Sequence, residues 1–214
     1  TLAVDVGGTG IKTLPLDAQG EPAGERERVA TPRPAKPEAV LQCIQKLVKN
    51  RKEFNRLSVG FPGVVVDGVV HSAPNLNGNW KGFHLASELS ARLDCPVRVA
   101  NDADVQGLGA IEGKGVELVL TLGTGLGSAL FNEGRLIPNL ELAHHPFRKK
   151  STYEDFVGRA ALKKVGTKRW SKRVLQVLES VDPLFNPRQI YLGGGNAKKL
   201  KIKLPKNVTV VPYT

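Results

Sequence analysis

The sequence has no methionine, two cysteines, and few aromatic residues, 6% of its 214 positions. Without an initiator, and opening on what reads as a strand, it is expected to be a trimmed chain, in which omitted residues compress the spacing across loops. Cys43 and Cys95 stand in unrelated contexts, which excludes a four-thiolate zinc site or a disulfide scaffold and fits a reducing cytoplasm. No apolar run reaches a membrane-spanning length, because the longest, around Val116 to Phe131, is broken by glycine and threonine. Thr1 leads straight into Leu2-Ala3-Val4 with no cationic leader pattern, so no signal peptide is expected and the location is taken as cytoplasmic. Low-complexity tracts and short-period repeats are also absent, which excludes fibrous and solenoid architectures. What remains, 41% hydrophobic and 24% charged residues, is the composition of a folded globular chain.

Charge of one sign is concentrated rather than spread. Residues 1–100 hold 13 basic and 10 acidic side chains, whereas residues 148–214 hold 16 and 4, a local net of +12 against +11 for the whole chain. Such a patch attracts a polyanion, whether nucleic acid, an anionic membrane surface or polyphosphate; a solvated basic helix face has the same composition. Nucleic-acid binding would call for aromatics among the cations, and this region offers mainly Tyr153, Phe156 and Trp170.

Hydrophobic periodicity predicts a strand at 2–6, a Gly7-Gly8 turn and a return strand at 11–16, a hairpin rather than a strand-to-helix opening. A proline-rich connection, 31–37, precedes a helix with Val40, Leu41, Ile44, Leu47 and Val48 on one face. A strand at 57–61, a hairpin at Asp67-Gly68, a polar loop, a helix at 85–93 and a strand at 97–100 follow, and Asn101-Asp102 begins a helix to Ile111. The pattern then restarts, with strands at 118–122 and 128–131 about a glycine-rich turn. Helices at 153–164 and 169–179, a strand at 189–192 and a last strand at 208–211 complete it. Two related α/β lobes, 1–100 and 101–214, are expected.

Three glycine-rich turns carry the chemistry. Asp5-Val6-Gly7-Gly8-Thr9-Gly10 sets an acid at a strand end and bare backbone N–H groups beyond it, with Lys12 close by. Those amides suit phosphate oxygens, and Asp5 suits magnesium held through water. A tight Gly-Gly hairpin would read the same way. Gly123-Thr124-Gly125, after Leu122, places a hydroxyl among glycines; a dinucleotide fingerprint fails there because a strand follows, while a plain hairpin stays open. Gly193-Gly194-Gly195 closes a strand and opens a helix, as a surface for a nucleotide base or ribose would, or simply a helix cap. Asn101 reads equally as an N-cap, with Asp102 and Asp104 complementing the helix dipole. Glu141-x-x-His144 taken alone is a helix-surface pair or a partial metal site.

Taken together, Asp5-Val6-Gly7-Gly8-Thr9-Gly10-Ile11-Lys12, Gly60-Phe61-Pro62-Gly63-Val64-Val65, Asn101-Asp102-Ala103-Asp104, Leu122-Gly123-Thr124-Gly125-Leu126-Gly127 and Glu141-Leu142-Ala143-His144 resemble the repressor, open-reading-frame and kinase (ROK) family. The likeness is nearest its polyphosphate glucokinase branch, through Val64 to His71 and Leu120 to Gly125. The resemblance implies a two-lobed α/β fold of the actin/hexokinase (ribonuclease H-like) kind with the active site in the cleft between lobes. It implies a sugar kinase that moves a phosphoryl group from polyphosphate or ATP to the 6-hydroxyl of glucose with magnesium. Asp102 is then the catalytic base, with Gly63, Asn75, Asn101, Asp102, Glu141 and His144 around the sugar. Asp5, Gly7, Gly8, Thr9, Lys12, Gly123, Thr124, Gly125 and the Gly193–Gly195 segment face the donor, and a homodimer is implied. Three features depart from the family pattern. His145-Pro146-Phe147-Arg148 replaces the cysteine-rich zinc loop, so no zinc is expected; Ala143 stands where glycine is usual; and the repressors' helix-turn-helix is missing. A kinase of another hexose, mannose or fructose, is the alternative enzyme, and a noncatalytic sugar- or polyanion-binding module the alternative from another class.

Overall fold

The computed structural model describes residues 1–49, 51, 54–74, 76–148 and 150–212. The chain divides into two compact units, 1–105 and 106–214.

The first unit is built on a five-stranded sheet. Strands β1 (Leu2–Val6), β2 (Ile11–Pro15) and β3 (Glu27–Val29) form an antiparallel meander, and helix α1 (Pro37–Lys49) follows. Strand β4 (Leu57–Phe61) joins β1 in parallel; then come the short hairpin β5 (Val65–Val66) and β6 (Val69–Val70), helix α2 (Leu85–Leu93) and strand β7 (Val97–Asn101), parallel to β4. The sheet order is β3-β2-β1-β4-β7. The predicted apolar stripe of α1 is buried, as Val40, Leu41, Ile44, Leu47 and Val48, against inward-facing Leu2, Val4 and Val6 of β1. Trp80 and Phe61 pack at 4.9 Å between ring centroids, and the indole N–H, which burial would otherwise leave unpaired, donates to the Ala35 carbonyl.

Helix α3 (Asp102–Leu108) leads out of β7. Strands β8 (Val116–Leu122), β9 (Leu126–Asn132) and β10 (Arg135–Ile137) then repeat the antiparallel meander. A small hairpin, β11 (Pro146–Arg148) with β12 (Ser151–Thr152), precedes α4 (Tyr153–Val157) and α5 (Arg159–Phe185); β13 (Gln189–Gly193) and β14 (Val208–Val210) extend the sheet in parallel. The order, β10-β9-β8-β13-β14, reproduces that of the first unit strand for strand.

The helical region differs from its prediction in where it breaks. Gly158 is extended and separates α4 from α5, and Gly166 interrupts α5 at φ 75°, ψ 162°. Apolar periodicity carries through a one-residue glycine break without a change of phase visible in sequence, so the earlier break was missed. The helix also runs on to Phe185 with Pro183 inside it, because proline so near the C-terminus forfeits one bond rather than a run of them. After Gly195 a single 3₁₀ turn, Ala197–Lys199, stands where a helix was expected. Helix α3 ends at Leu108, short of Ile111, next to Gly107 and Gly109.

Candidate functional site

Parallel strands in one sheet end on the same edge, and the loops leaving their C-terminal ends gather there. In the first unit β1, β4 and β7 end at Val6, Phe61 and Asn101, with Asp5 opposite Gly60 and Phe61 opposite Asn101. That register brings together the Gly7–Gly10 turn, the Pro62-Gly63 turn and the Asn101-Asp102 step.

The Gly7–Gly10 turn is closed by a Gly7 N–H to Gly10 carbonyl bond of 3.0 Å, and the hydroxyl of buried Thr31 donates to the Gly7 carbonyl. Lys12 lies across the hairpin from Asp5, and its ammonium meets the carboxylate at 2.7 Å. Part of the Lys12 charge is therefore spent on Asp5, although the Asp5 side chain, 41% exposed, still presents an oxygen to water. Arg28, on β3, donates to the Thr9 carbonyl at 3.1 Å, with its guanidinium laid against Gly10. Sequence reasoning missed Arg28; its alternating place opposite Lys12 in the β2–β3 register is the signal that could have found it.

Asn101 ties its own helix start to the Pro62-Gly63 turn. Its side-chain amide donates to the Gly63 carbonyl at 3.1 Å, while its oxygen accepts from the Ala103 N–H at 2.8 Å. The cap and the loop tie are thus made by one side chain. Asp102 begins α3 and its carboxylate also accepts from Ala103 N–H, at 2.9 Å. Asn75 lies outside the described residues.

The second unit repeats the arrangement. Strands β8 and β13 run parallel with Thr121 opposite Gly193, so the Gly123-Thr124-Gly125 and Gly193-Gly194-Gly195 segments leave the same edge. Gly194 has φ 84° and lies so close that a Cβ there would sit 2.6 Å from the Leu122 carbonyl oxygen, a position open to glycine alone. Asn196, buried, locks the two together: its amide donates to the Gly123 carbonyl at 2.8 Å and its backbone N–H to the Leu122 carbonyl at 2.9 Å. Gly194 and Gly195 line a cavity of 390 Å³ with Lys198, Val210, Val211 and Pro212.

Glu141 and His144 lie at a 3₁₀ turn, Leu142–His144, rather than on a helix. Ser128 of β9 anchors that turn, donating to the Leu140 carbonyl and accepting from the Leu142 N–H. Desolvation of the Glu141 carboxyl raises its pKa above the ordinary carboxylate value, His144 acts against that, and nearby Glu154 adds to it. Glu154, on α4, is another residue missed from sequence. Its carboxylate accepts from the Leu126 N–H at 3.3 Å and occupies the space a Cβ on Gly125 would take, so a side chain there would have to displace it. Helix α4 is set by a reciprocal capping box between Thr152 and Asp155, which fixes where Glu154 points. A carboxylate, an imidazole and a second carboxylate beside a glycine turn are suited to holding vicinal hydroxyls.

Among the described residues no cluster of three or more His, Cys, Asp or Glu stands ready to cage a metal ion.

The repeated α/β units define the two-lobed fold of the actin and hexokinase class of sugar kinases. The ROK family model matches residues 1–140, and the chain belongs to the ROK family. It is 36% identical to polyphosphate glucokinase of Mycobacterium tuberculosis over 92% of this chain and 77% of that one. It is similar in structure to the inorganic polyphosphate/ATP-glucomannokinase of Arthrobacter sp. strain KM, with a TM-score of 0.88, 35% identity, and coverage of 99% of this chain and 90% of the other. A ROK family glucokinase of Streptomyces griseus, solved with glucose and AMPPNP, matches in fold with a TM-score of 0.82 at 20% identity, covering 99% and 93%. Among the described residues no helix is long and apolar enough to cross a membrane.

Proposed function

We propose that this protein is a sugar kinase transferring the terminal phosphoryl group of polyphosphate or ATP to the 6-hydroxyl of glucose. One observation carries the assignment of the base: Asn101 bonds both the Gly63 carbonyl and the Ala103 N–H, so Asp102 sits on a strand-to-helix step braced against the Pro62-Gly63 turn. In a loose phosphoryl-transfer transition state the proton leaves the attacking hydroxyl late, so positioning matters more than basicity.

Asp102 takes the proton of the 6-hydroxyl as oxygen attacks phosphorus, and Asn101 and Gly63 orient the sugar beside it. Glu141 and His144 bind other hydroxyls, with Glu154 adding a third group to the same cluster. The glycine turns at 7–10 and 123–125 offer backbone N–H groups to the donor's phosphates. Magnesium, when bound, neutralises adjacent phosphate charges. Asp5, the carboxylate at the first turn, would hold it through water. The functional form in this reading is a homodimer, which light scattering checks.

The test is a coupled assay of the purified protein with glucose, supplied in turn with polyphosphate and ATP, with and without magnesium. Glucose 6-phosphate is expected with polyphosphate and magnesium; no product from glucose with either donor would overturn the reading. Mannose belongs in the same assay, because the structurally similar Arthrobacter enzyme is a glucomannokinase.

A further inference from the structure

Lys199 differs from the other cations near the glycine turns. Its ammonium donates to the Asn196 side-chain oxygen at 3.0 Å, and the other end of that buried amide bonds the Gly123 carbonyl at 2.8 Å. One amide group therefore separates the ammonium from the second turn. Lys12, by contrast, has its charge engaged by Asp5. Among the described residues the partner of Lys199 is neutral and no carboxylate pairs with it. The turn carries an anion too, since Glu154 lies against Gly125. A phosphate arriving at the Gly123–Gly125 turn would be repelled by that carboxylate unless a cation offset it.

We propose that Lys199, held in place by Asn196, is a donor-binding residue that pairs with a phosphate oxygen at the Gly123-Thr124-Gly125 turn. The inference rests on the kinase reading above, which takes this turn to bind the donor's phosphates. Its chemistry follows from the parts: an ammonium with donors left over after Asn196 is satisfied, on a stem pinned by a buried amide. Pinning matters because a free lysine loses side-chain entropy on binding, and one already held loses less. Sequence alone does not separate Lys199 from its neighbours Lys198 and Lys201; the hydrogen bond to Asn196 does.

Lys199→Gln removes the charge and keeps a polar chain, Lys199→Arg restores a cation, and Lys206→Gln, an exposed site before β14, controls for loss of one charge anywhere on this basic surface. Two readouts are compared: KM for polyphosphate, ATP and glucose, and the affinity of tripolyphosphate measured by calorimetry without sugar. Lys199→Gln is expected to raise both donor KM values and weaken tripolyphosphate about tenfold, as loss of one charge-assisted bond does. Glucose KM and Tm should stay near wild type, Lys199→Arg should recover most of the loss, and Lys206→Gln should change little. Unchanged donor KM and tripolyphosphate affinity in an active Lys199→Gln enzyme would overturn the inference and leave the kinase reading standing. An equal loss in Lys206→Gln would reduce Lys199 to one charge among many. A wild-type protein inactive on glucose overturns the kinase reading instead, and tripolyphosphate affinity then still decides whether Lys199 binds phosphate.

Discussion

At the scale of single residues, the two candidate carboxylates are expected to act on different kinetic constants. Asp102→Asn keeps hydrogen bonding but accepts no proton, so kcat should fall by about 10²–10⁴-fold with sugar binding retained. Near-normal turnover would remove Asp102 from the mechanism. Glu141→Gln should act through glucose KM. Because desolvation raises the Glu141 pKa, its acceptor form is lost at a higher pH than for an ordinary carboxylate. Wild-type glucose KM should therefore climb early on acidification, and the variant's should not. Glu117 is shifted the other way. It is buried, and burial alone would raise its pKa, but the N–H groups of Glu112, Gly113 and Lys114 and the Tyr191 hydroxyl outweigh that and lower it. Its stabilisation is present above the unfolded value near 4.5 and is lost as pH falls through the lowered folded value. Tyr191, pushed up to about 12 by burial and then by Glu117, contributes below its unfolded value of 10.0 and loses that contribution as pH rises through 12. Glu117→Gln should cost about 1–3 kcal/mol at neutral pH and flatten the acid limb of a Tm-against-pH curve. A curve parallel to wild type would show that other groups set acid stability.

At the scale of elements, glycine breaks position the α4–α5 region. Gly158 lets the chain turn after α4, and the Arg159 N–H then bonds the Thr124 carbonyl at 3.0 Å, tying the helix start to the second glycine turn. Gly166 has a conformation that side chains resist, with open space where a Cβ would go. Gly166→Ala should therefore destabilise through backbone strain alone, by about 1–3 kcal/mol in chemical denaturation. An unchanged midpoint would mean that α5 straightens through this point without loss. The same region disposes of some of its charge locally: Arg173 stacks over Phe156 at 4.7 Å and Arg148 over Phe147 at 5.4 Å. Those two arginines cover an aromatic cluster formed by Phe147, Tyr153 and Phe156.

At the scale of the molecule, a net charge of +12 gathered in residues 148–214 is more than ATP requires. A long polyanion touches many cations at once and releases counterions, so its affinity falls steeply with salt, an argument carried over by analogy from nucleic acids. Polyphosphate KM is expected to rise much more steeply with ionic strength than ATP KM. Charge reversal at Lys149, which lies outside the described residues, together with Lys150 should impair polyphosphate use more than ATP use. Equal salt dependence for both donors would leave the basic face as solvated surface.

What the sequence by itself determined is local: the strands β1, β4, β8 and β13, the buried stripe of α1, the glycine turns, and the repeat of hairpin and helix that marked two related units. These follow from side-chain periodicity and backbone permissiveness, which act between near neighbours. The matching strand order of the two sheets was decided by pairing between distant segments. So were the bracing of Gly63 by Asn101, the arrival of Glu154 at Gly125 and the link from Lys199 through Asn196 to Gly123. Glu154 bonds Leu126 across 28 residues, and Asn196, through which Lys199 acts, bonds Gly123 across 73. No local pattern distinguishes Glu154 and Lys199 from other surface charges. Their roles come from the register of parallel strands, which delivers separate loops to one sheet edge and so sets which side chains meet.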